Sequence, residues 1–599
     1  MSEYRTPFRD MQFVLHELFN SEEHYAGLDS AEKLTPDLLN SIIDGMSQFA
    51  TDVLHPINLS GDQEGCHWSP EGVTTPAGFK DAYRQYVEGG WAGLSADPAY
   101  GGQGLPGSAS FLVDEIMGTA NWSWCMYPGL SKAATRLLSA AGSEQQKQLY
   151  LTRLVSGEWS GTMCLTEPHC GSDVGILKTK AEQSADGSYS ITGTKIFISA
   201  GEHDLTDNIL HMVLARVKGA PNGSRGISLF LVPKFNVNDD GSLGERNGVH
   251  CGSIEHKMGI KGSATAVLNF DGAKGFLIGK ENEGLHHMFI MMNAARVGTA
   301  MQGLCVAEST IQRSVDYARE RLQMRSLSGP KNPEGPADPI IVHPDVRRML
   351  LTQKAFAEGS RAFLYWLVMQ VDNTMYGSAE QKAQSHMLLE LLTPVAKAFV
   401  TEAGLECANL AVQVYGGHGY IQEHGVEQIL RDARIATVYE GTTGIQALDL
   451  LGRKVLGTGG ETLKGFAKVL NAFCQAHKDD DNLSAMVARL TGLSKELGEL
   501  TMLVGAAAMN DPEEVGAASV DYLMYSGYLV LAWVWAQMAE VAHRQLAAGA
   551  GDPNFYTAKL QTARFYYERI LPRTLAHAAA VRSGAANVMD MAAENFYLG

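Results

Sequence analysis

A mainly helical protein with a central β-domain and an added helical module toward its C-terminal end is the fold class this sequence predicts. Three observations predict it. Apolar residues recur at helical spacing in the N-terminal third. From about Gly161 to Gly279, short β-branched and aromatic runs alternate with turns. Helical spacing then returns from about Glu281 and resumes after a glycine-rich break beyond Val455. The expected domains are 1–160, 161–280, 281–455 and 456–599. A chain of 599 residues exceeds one core and suits three or four domains at about 150 residues each.

The first region is carried by LTPDLLNSIIDGMSQFATDVLHP, in which Leu39, Ile42, Ile43, Met46, Ala50 and Val53 fall on one helical face. Pro36 suits a first turn and Pro56 an end. WAGLSADPAYGGQGLP then reads as shaped loop because Gly101, Gly102 and Gly104 stand among prolines. SYSITGTKIFIS, NILHMVLARV, RGISLFLVPKF and ATAVLNFDG read as strands. Val297, Met301, Leu304, Ile311 and Val315 restore a helical face. A proline-rich loop spans Ser326 to Asp345, and helices run from Arg347 to Val414. GTGGETLKG reads as a linker to a helical tail with a polar break at Lys478 to Asn482. No internal repeat of fixed period is visible.

A net charge of −18 without a dense Lys/Arg run excludes nucleic acid as an expected partner, since phosphate binding needs a basic footprint. Eight scattered cysteines without CxxC spacing read as reduced thiols of a cytoplasmic protein, and no metal site is expected. The N-terminal residues show no signal-peptide pattern. Tyr522 to Ala539 contains 18 residues without a formal charge, at the lower edge of a spanning length of roughly 17 to 25. Asp521 and Glu540 flank it, and Tyr, Trp, Ser and Gln interrupt it, so the expectation is a helix buried in a bundle. Peripheral membrane contact stays open.

Chemistry concentrates in four stretches. In ARIATVYEGTTGIQ, Glu440 follows a run, Ile435 to Tyr439, that looks buried, and a buried carboxylate is costly unless paired, neutralised or used. CLTEPHCGSD, Cys164 to Asp173, reads alone as a capped loop. Beside KIFISAG it offers more: Phe197 can pack on a flat heterocycle while Thr166 and Ser199 hydrogen-bond its polar edge. In QVYGGHGY, Gln413 to Tyr420, glycines permit close backbone approach to a phosphate, though a helix stop explains them equally well. Arg321, Arg325, Arg431 and Arg434 are candidate anion partners whose default is a surface role.

CLTEPHCGSD, GTKIFISAG, KMGIKGSAT, ENEGL, the DYARER run, AVQVYGGHGYIQEHGVEQILRDARI and YEGTTGIQ, in this order, resemble the acyl-CoA dehydrogenase family from roughly residue 35 to 455. The PFRDMQFVLHEL extension and the helical tail resemble its long forms, which include 3-methylmercaptopropionyl-CoA dehydrogenases and bacterial fatty acyl-CoA dehydrogenases.

The resemblance implies a helical domain, a β-barrel-like domain and a four-helix domain that hold FAD and an acyl-CoA thioester. Met163, Leu165, Thr166 and Ser172 would line the flavin and substrate side of the first β-loop, with Phe197 and Ser199 flanking the isoalloxazine. Arg321, Gln413 and Gly417 would reach FAD of a neighbouring subunit, implying a homodimer, and Thr442 would also touch FAD. Ser172, Arg296, Tyr439 and Gly441 would face substrate.

Glu440 would remove the α-proton as the β-hydride passes to flavin N5, giving the trans-2-enoyl-CoA, and an electron-transfer flavoprotein would take the electrons. A donor to the developing oxyanion, such as the Glu440 N–H, is typically worth about 3 to 4 kcal/mol. Some relatives place the base just before the substrate-side arginine; Ala295 stands there and cannot take a proton. Gly444 and Asn293 depart from the common pattern, at a contact position and three residues before Arg296. The expected substrate is a fatty acyl-CoA, with the methylmercapto thioester as alternative. Acyl-CoA oxidase and a non-catalytic acyl-CoA-binding scaffold are the competing functions.

Overall fold

The computed structural model describes residues 4–30 and 32–597. Two compact units divide the chain: Ser30–Gly298, and Met1–Asp29 together with Thr299–Gly599.

In the first unit, helix α1, Pro36–Phe49, starts where Thr35 Oγ1 accepts the Leu38 N–H at 3.2 Å, and a wider turn carries it through Leu54. Leu39, Ile42, Ile43 and Met46 are buried, as their spacing predicts. Helices α2 (Phe79–Glu88), α3 (Gly107–Ala120) and α4 (Trp122–Ala141) complete the helical part.

Seven strands follow: β1 (Trp159–Cys164), β2 (Lys180–Gln183), β3 (Tyr189–Ser199), β4 (Asn208–Val217), β5 (Ile227–Pro233), β6 (Val249–Ile254) and β7 (Thr265–Ile278). Pairing runs β7–β3–β2–β4, and β5 joins β4 back to β7, so five strands close a ring. Strand β6 extends it beyond β7 and β1 beyond β4, the latter in parallel. Closure pairs the five ring strands on both sides and leaves β6 and β1 as the outer strands, and Ile191, Val213, Phe230, Leu268 and Phe270 fill the interior. In the β3–β7 ladder the register steps from Ile198 opposite Ala266 to Lys195 opposite Leu268. This bulge leaves Ile196 and Phe197 against one residue of β7 and re-aims the strand.

Helix α5, Gly284–Glu320, runs on into the second unit. There α6 (Pro344–Tyr376) and α7 (Ala379–Tyr415) form a hairpin turned at Gly377, with a capping box between Ser378 and Gln381. Pro344, read from sequence as loop, opens α6, where its missing N–H costs nothing. Helices α8 (Val426–Arg434) and α9 (Thr443–Leu448) flank Glu440. The tail adds α10 (Glu461–Ala476), α11 (Ser484–Ala507), α12 (Glu513–Ala548), α13 (Pro553–Phe565) and α14 (Arg573–Arg582). The uncharged stretch 522–539 lies within α12, mostly buried. Tyr528 meets Phe399 of α7 edge-on at 4.9 Å, and Trp535 Nε1 donates to the Ala355 carbonyl of α6 at 3.2 Å. Among the described residues no helix is long and apolar enough to cross a membrane.

A buried charge cluster pins this unit together. Asp10, in the helix Phe8–Gln12, pairs with Arg361 of α6 and Lys559 of α13. Arg361 also meets Glu308 of α5 at 2.6 Å, and Lys559 meets Glu358 of α6 at 2.9 Å. Glu358 also pairs with Lys354. Cations and carboxylates balance in number, which is how buried ions are tolerated.

Candidate active site

In the first unit the loop Cys164–Asp173 hangs between β1 and β2 on a buried ion pair. Lys195 Nζ donates to Glu167 Oε1 and to the Leu165 carbonyl, each at 2.9 Å, and the two side chains are 0% and 3% exposed. Glu167 also accepts from the Thr179 hydroxyl (2.6 Å), the Thr179 N–H (3.0 Å) and the Lys178 N–H (2.7 Å). Burial alone would raise the Glu167 carboxyl. Lys195 and these hydrogen bonds outweigh it and hold the carboxyl below its ordinary value.

Glu167, His169 and Cys170 bring potential ligand atoms within 4.8 Å of one another. We assign no ion to them, because Lys195 already supplies Glu167 with its counter-charge and His169 Nε2 lies 3.0 Å from the Ile176 carbonyl, the placement of a donor rather than a lone pair.

The Ile196 N–H donates to the Thr166 carbonyl at 2.9 Å, which ties the loop to the bulged part of β3. Phe197 sits there at φ +58° and is 58% exposed, with Ala200 at φ +53° close behind. Left-handed backbone at a non-glycine residue costs of order 1 to 3 kcal/mol, so an exposed aromatic kept in that conformation is a constraint the fold maintains. Met163, Leu165, Thr166 and Ser199 are half-buried, and Ser172 is exposed. An open aromatic face beside hydroxyls suits a flat heteroaromatic ring. Arg296, on α5, is buried.

In the second unit α7 ends at Tyr415, and the chain turns through Gly416 at φ +60°. Tyr317 of α5 stacks on Tyr415 with centroids 4.0 Å apart, and its hydroxyl contacts the Tyr415 carbonyl (3.2 Å) and His418 Nδ1 (2.8 Å). Arg321 follows one turn later, its N–H bonded to the Tyr317 carbonyl. Arg321, Gln413, Gly416 and Gly417 are exposed, and a Cβ at either glycine would meet nothing within 4 Å. This exposed arginine and open backbone suit a diphosphate.

The other sequence-read arginines are committed elsewhere. Arg325 spends its guanidinium on the Asn332 and Gly335 carbonyls and on buried Asp338, which folds the loop that follows α5. Arg431 pairs with Glu427, and Arg434 bonds Thr437.

Glu440 lies between α8 and α9, in a turn that several partners hold. The Val438 and Tyr439 N–H groups donate to the Ile435 carbonyl, and Val438 is 45% exposed, so the run before Glu440 is less buried than its apolar letters suggest. Glu440 is at φ +56° and Gly441 at φ +86°. The Glu440 carbonyl accepts from Gln446 Nε2 at 2.9 Å, and the Gly441 carbonyl accepts from Lys397 Nζ at 2.5 Å. Gln446 and Lys397 are both fully buried. A Cβ at position 441 would sit 2.5 Å from Gln446 Nε2 and displace that side chain from the Glu440 carbonyl, and φ +86° favours glycine in its own right.

Thr442 Oγ1 caps α9 by accepting the Ile445 N–H, and the Thr443 hydroxyl donates to Glu402 at 2.6 Å. The Tyr439 hydroxyl bonds Gln302 Oε1 at 2.5 Å, and Gln302 Nε2 bonds the Asp432 carbonyl. Gly444 has only Thr442 Oγ1 near its Cβ position, at 3.8 Å.

The structure thus sets Tyr317, one turn before Arg321, against Tyr415 and His418, which bracket Gly416 and Gly417, and holds Tyr439 through Thr442 in one turn, each within one unit. Sequence reasoning missed Lys397, Gln446 and Gln302. A signal existed for Lys397, the lone charge in LLTPVAKAFV.

Four family descriptions match consecutively: "Acyl-CoA dehydrogenase, N-terminal domain" over 40–158, "middle domain" over 162–273, "C-terminal domain" over 282–456, and "Acetyl-CoA dehydrogenase C-terminal like" over 466–592. The chain is 41% identical over 575 residues to the 3-methylmercaptopropionyl-CoA dehydrogenase of Ruegeria pomeroyi, covering 95% of this chain and 96% of that protein. It is 35% identical over 592 residues to the broad-specificity linear acyl-CoA dehydrogenase FadE5 of Mycobacterium tuberculosis, covering 96% of each. Its fold is shared with an acyl-CoA dehydrogenase of Bacillus anthracis complexed with FAD, at a TM-score of 0.75 and 22% identity over 93% of this chain and 90% of that one. The chain belongs to the acyl-CoA dehydrogenase family of flavin-dependent oxidoreductases.

Proposed function

We propose that the chain oxidises an acyl-CoA thioester to its trans-2-enoyl-CoA, with Glu440 as the base. The observation that carries this reading is the held, left-handed Glu440 in a chain matched in sequence by all four domains of the long family form. In this reading residues 1–160, 161–280, 281–455 and 456–599 are its domains.

The Glu440 carboxylate takes the proton from the carbon α to the thioester, a step for which a positioned base typically contributes 10² to 10⁴-fold. The β-hydrogen leaves with its electron pair as the α,β double bond forms. FAD, when bound, supplies the two-electron acceptor. The Glu440 N–H, aimed by the same turn, donates to the thioester oxygen as charge develops there. Arg296, Ser172, Tyr439 and Gly441 orient the substrate. Met163, Leu165, Thr166, Ser172, Phe197 and Ser199 hold the flavin ring; Arg321, Gln413, Gly417 and Thr442 hold the remainder of FAD.

The exposed Arg321, Gln413 and Gly417 support a homodimer in which a second copy shares the cofactor. All eight cysteines are free thiols, which supports a reducing, cytoplasmic setting. An electron-transfer flavoprotein is the proposed electron acceptor, in preference to oxygen.

For the acyl group, the 41% relative over nearly the full length favours the 3-methylmercaptopropionyl thioester over the fatty acyl-CoA that sequence reasoning put first. A linear fatty acyl-CoA is the second reading, supported by the 35% relative. Anaerobic titration of flavin absorbance with both thioesters tests this. The first reading expects tighter, faster bleaching by the methylmercapto substrate. Preference for straight chains reverses the order, and binding without bleaching by any acyl-CoA points to a non-catalytic scaffold. Dye reduction without peroxide separates the dehydrogenase from an oxidase.

A further inference from the structure

We infer that Lys397 is a positioning residue for the reaction, acting through the main chain to hold Glu440 in its working conformation, with Gln446 as its partner. This deepens the proposed function and rests on Glu440 being the base. Consecutive residues at φ +56° and +86° make a turn that a glutamate adopts only under constraint. Two fully buried side chains supply the constraint from different helices: Lys397 of α7 takes the Gly441 carbonyl, and Gln446 of α9 takes the Glu440 carbonyl. With both carbonyls drawn inward, the two peptide planes that flank the Gly441 Cα are fixed, and the first of them sets the backbone from which the Glu440 side chain projects.

The surroundings favour this role over simple core filling. Five residues further along α7, Glu402 accepts the Thr443 hydroxyl at 2.6 Å, so one helix grips the turn at two points. Tyr439 is held separately by Gln302. The residues that bracket Glu440 are therefore anchored one by one: Gln446 holds the peptide immediately after the base, and Lys397 holds the next one, on the far side of Gly441. Removing the Lys397 bond leaves a carbonyl without its donor and frees the strained turn to relax. A displacement of about 1 Å at a reacting group can cost on the order of 100-fold in rate.

The test compares Lys397→Met, Gln446→Met, Glu440→Gln and the double variant Lys397→Met/Glu440→Gln as FAD-loaded proteins. Measured are bound flavin per chain, thermal midpoint, kcat and KM. Lys397→Met is expected to retain FAD while kcat falls about 10- to 100-fold and KM changes far less. In the Glu440→Gln background the same substitution is expected to cost much less in rate, because no base remains to be positioned and the turn then aims only the main-chain N–H of residue 440.

An equal fold-loss in both backgrounds, or wild-type kcat in Lys397→Met, overturns the inference. Wild-type turnover by Glu440→Gln overturns instead the reading of the base on which it rests. Should Lys397→Met fail to fold, Gln446→Met carries the same comparison at the neighbouring carbonyl, with the same two outcomes.

Discussion

The loop Cys164–Asp173 in one unit and the turn Tyr439–Thr443 in the other each depend on a fully buried lysine, and the two lysines serve different ends. Lys195 answers a carboxylate. Glu167 in turn accepts two main-chain N–H groups and a hydroxyl, so the loop is fixed by a locally neutral, fully bonded group. Lys397 instead reaches a peptide carbonyl inside a left-handed turn, beside the residue that would do the chemistry. The lesson concerns what each bond opposes. In the first loop it opposes desolvation, so its loss should register as instability. In the second it opposes backbone strain, so its loss should register as a slower reaction.

The largest effect expected on stability comes from breaking the first arrangement. Lys195→Met leaves Glu167 as a buried charge without its cation, and such changes cost about 3 to 5 kcal/mol. Denaturant unfolding should show that loss, and adding Glu167→Gln should restore part of it. A loss under 1 kcal/mol would mean that the hydrogen bonds to Glu167 suffice and that the lysine is incidental.

A smaller effect, with a defined pH window, comes from the charge cluster in the second unit. Burial would raise the Asp10 carboxyl, but Lys559 and Arg361 outweigh it and hold it at about 2, below its ordinary 3.8. Its contribution is therefore fully present above about pH 4 and is lost as pH falls through about 2, amounting to ~2 kcal/mol. Asp10→Asn should flatten the stability profile across that window while leaving kcat per folded enzyme unchanged at neutral pH. A fall in kcat at full FAD occupancy would show that buried ions in this unit act on rate generally, and the contrast with Lys397 would dissolve.

The smallest expected change is at Phe197. Glycine tolerates φ +58°, so relief of strain is offset by roughly 0.5 to 1 kcal/mol of added chain entropy in the unfolded state. Phe197→Gly should then be no less stable than the parent in denaturant unfolding. Loss of the exposed ring should weaken FAD binding by about 0.5 to 1.5 kcal/mol, up to roughly tenfold, in a fluorescence titration. Unchanged affinity would mean that Phe197 does not face the flavin.

What the sequence disclosed follows from the range of the interactions involved. Periodicity and caps are local, so the Pro36 helix, the strand region and the buried 522–539 stretch were legible from short windows. The Glu440 turn was legible because its glycine and threonines are adjacent to it. Its anchors were not, since Lys397 and Gly441 lie 44 residues apart and the pairing exists only once α7 has folded past the turn. The charge cluster is more extreme: Asp10 and Lys559 are 549 positions apart. Exposure misled for a related reason. Val438 has apolar neighbours in sequence, yet the turn that holds Glu440 carries it to the surface.

The central claim is that Glu440 takes the α-proton, and exchange of that proton with solvent reads this step alone. Acyl-CoA deuterated at the α-carbon should lose its label in water on the FAD-loaded protein under anaerobic conditions. Glu440→Gln, with its flavin retained, should slow that loss by 10² to 10⁴-fold. Exchange by Glu440→Gln at the parent rate would contradict the claim and move the base to another residue.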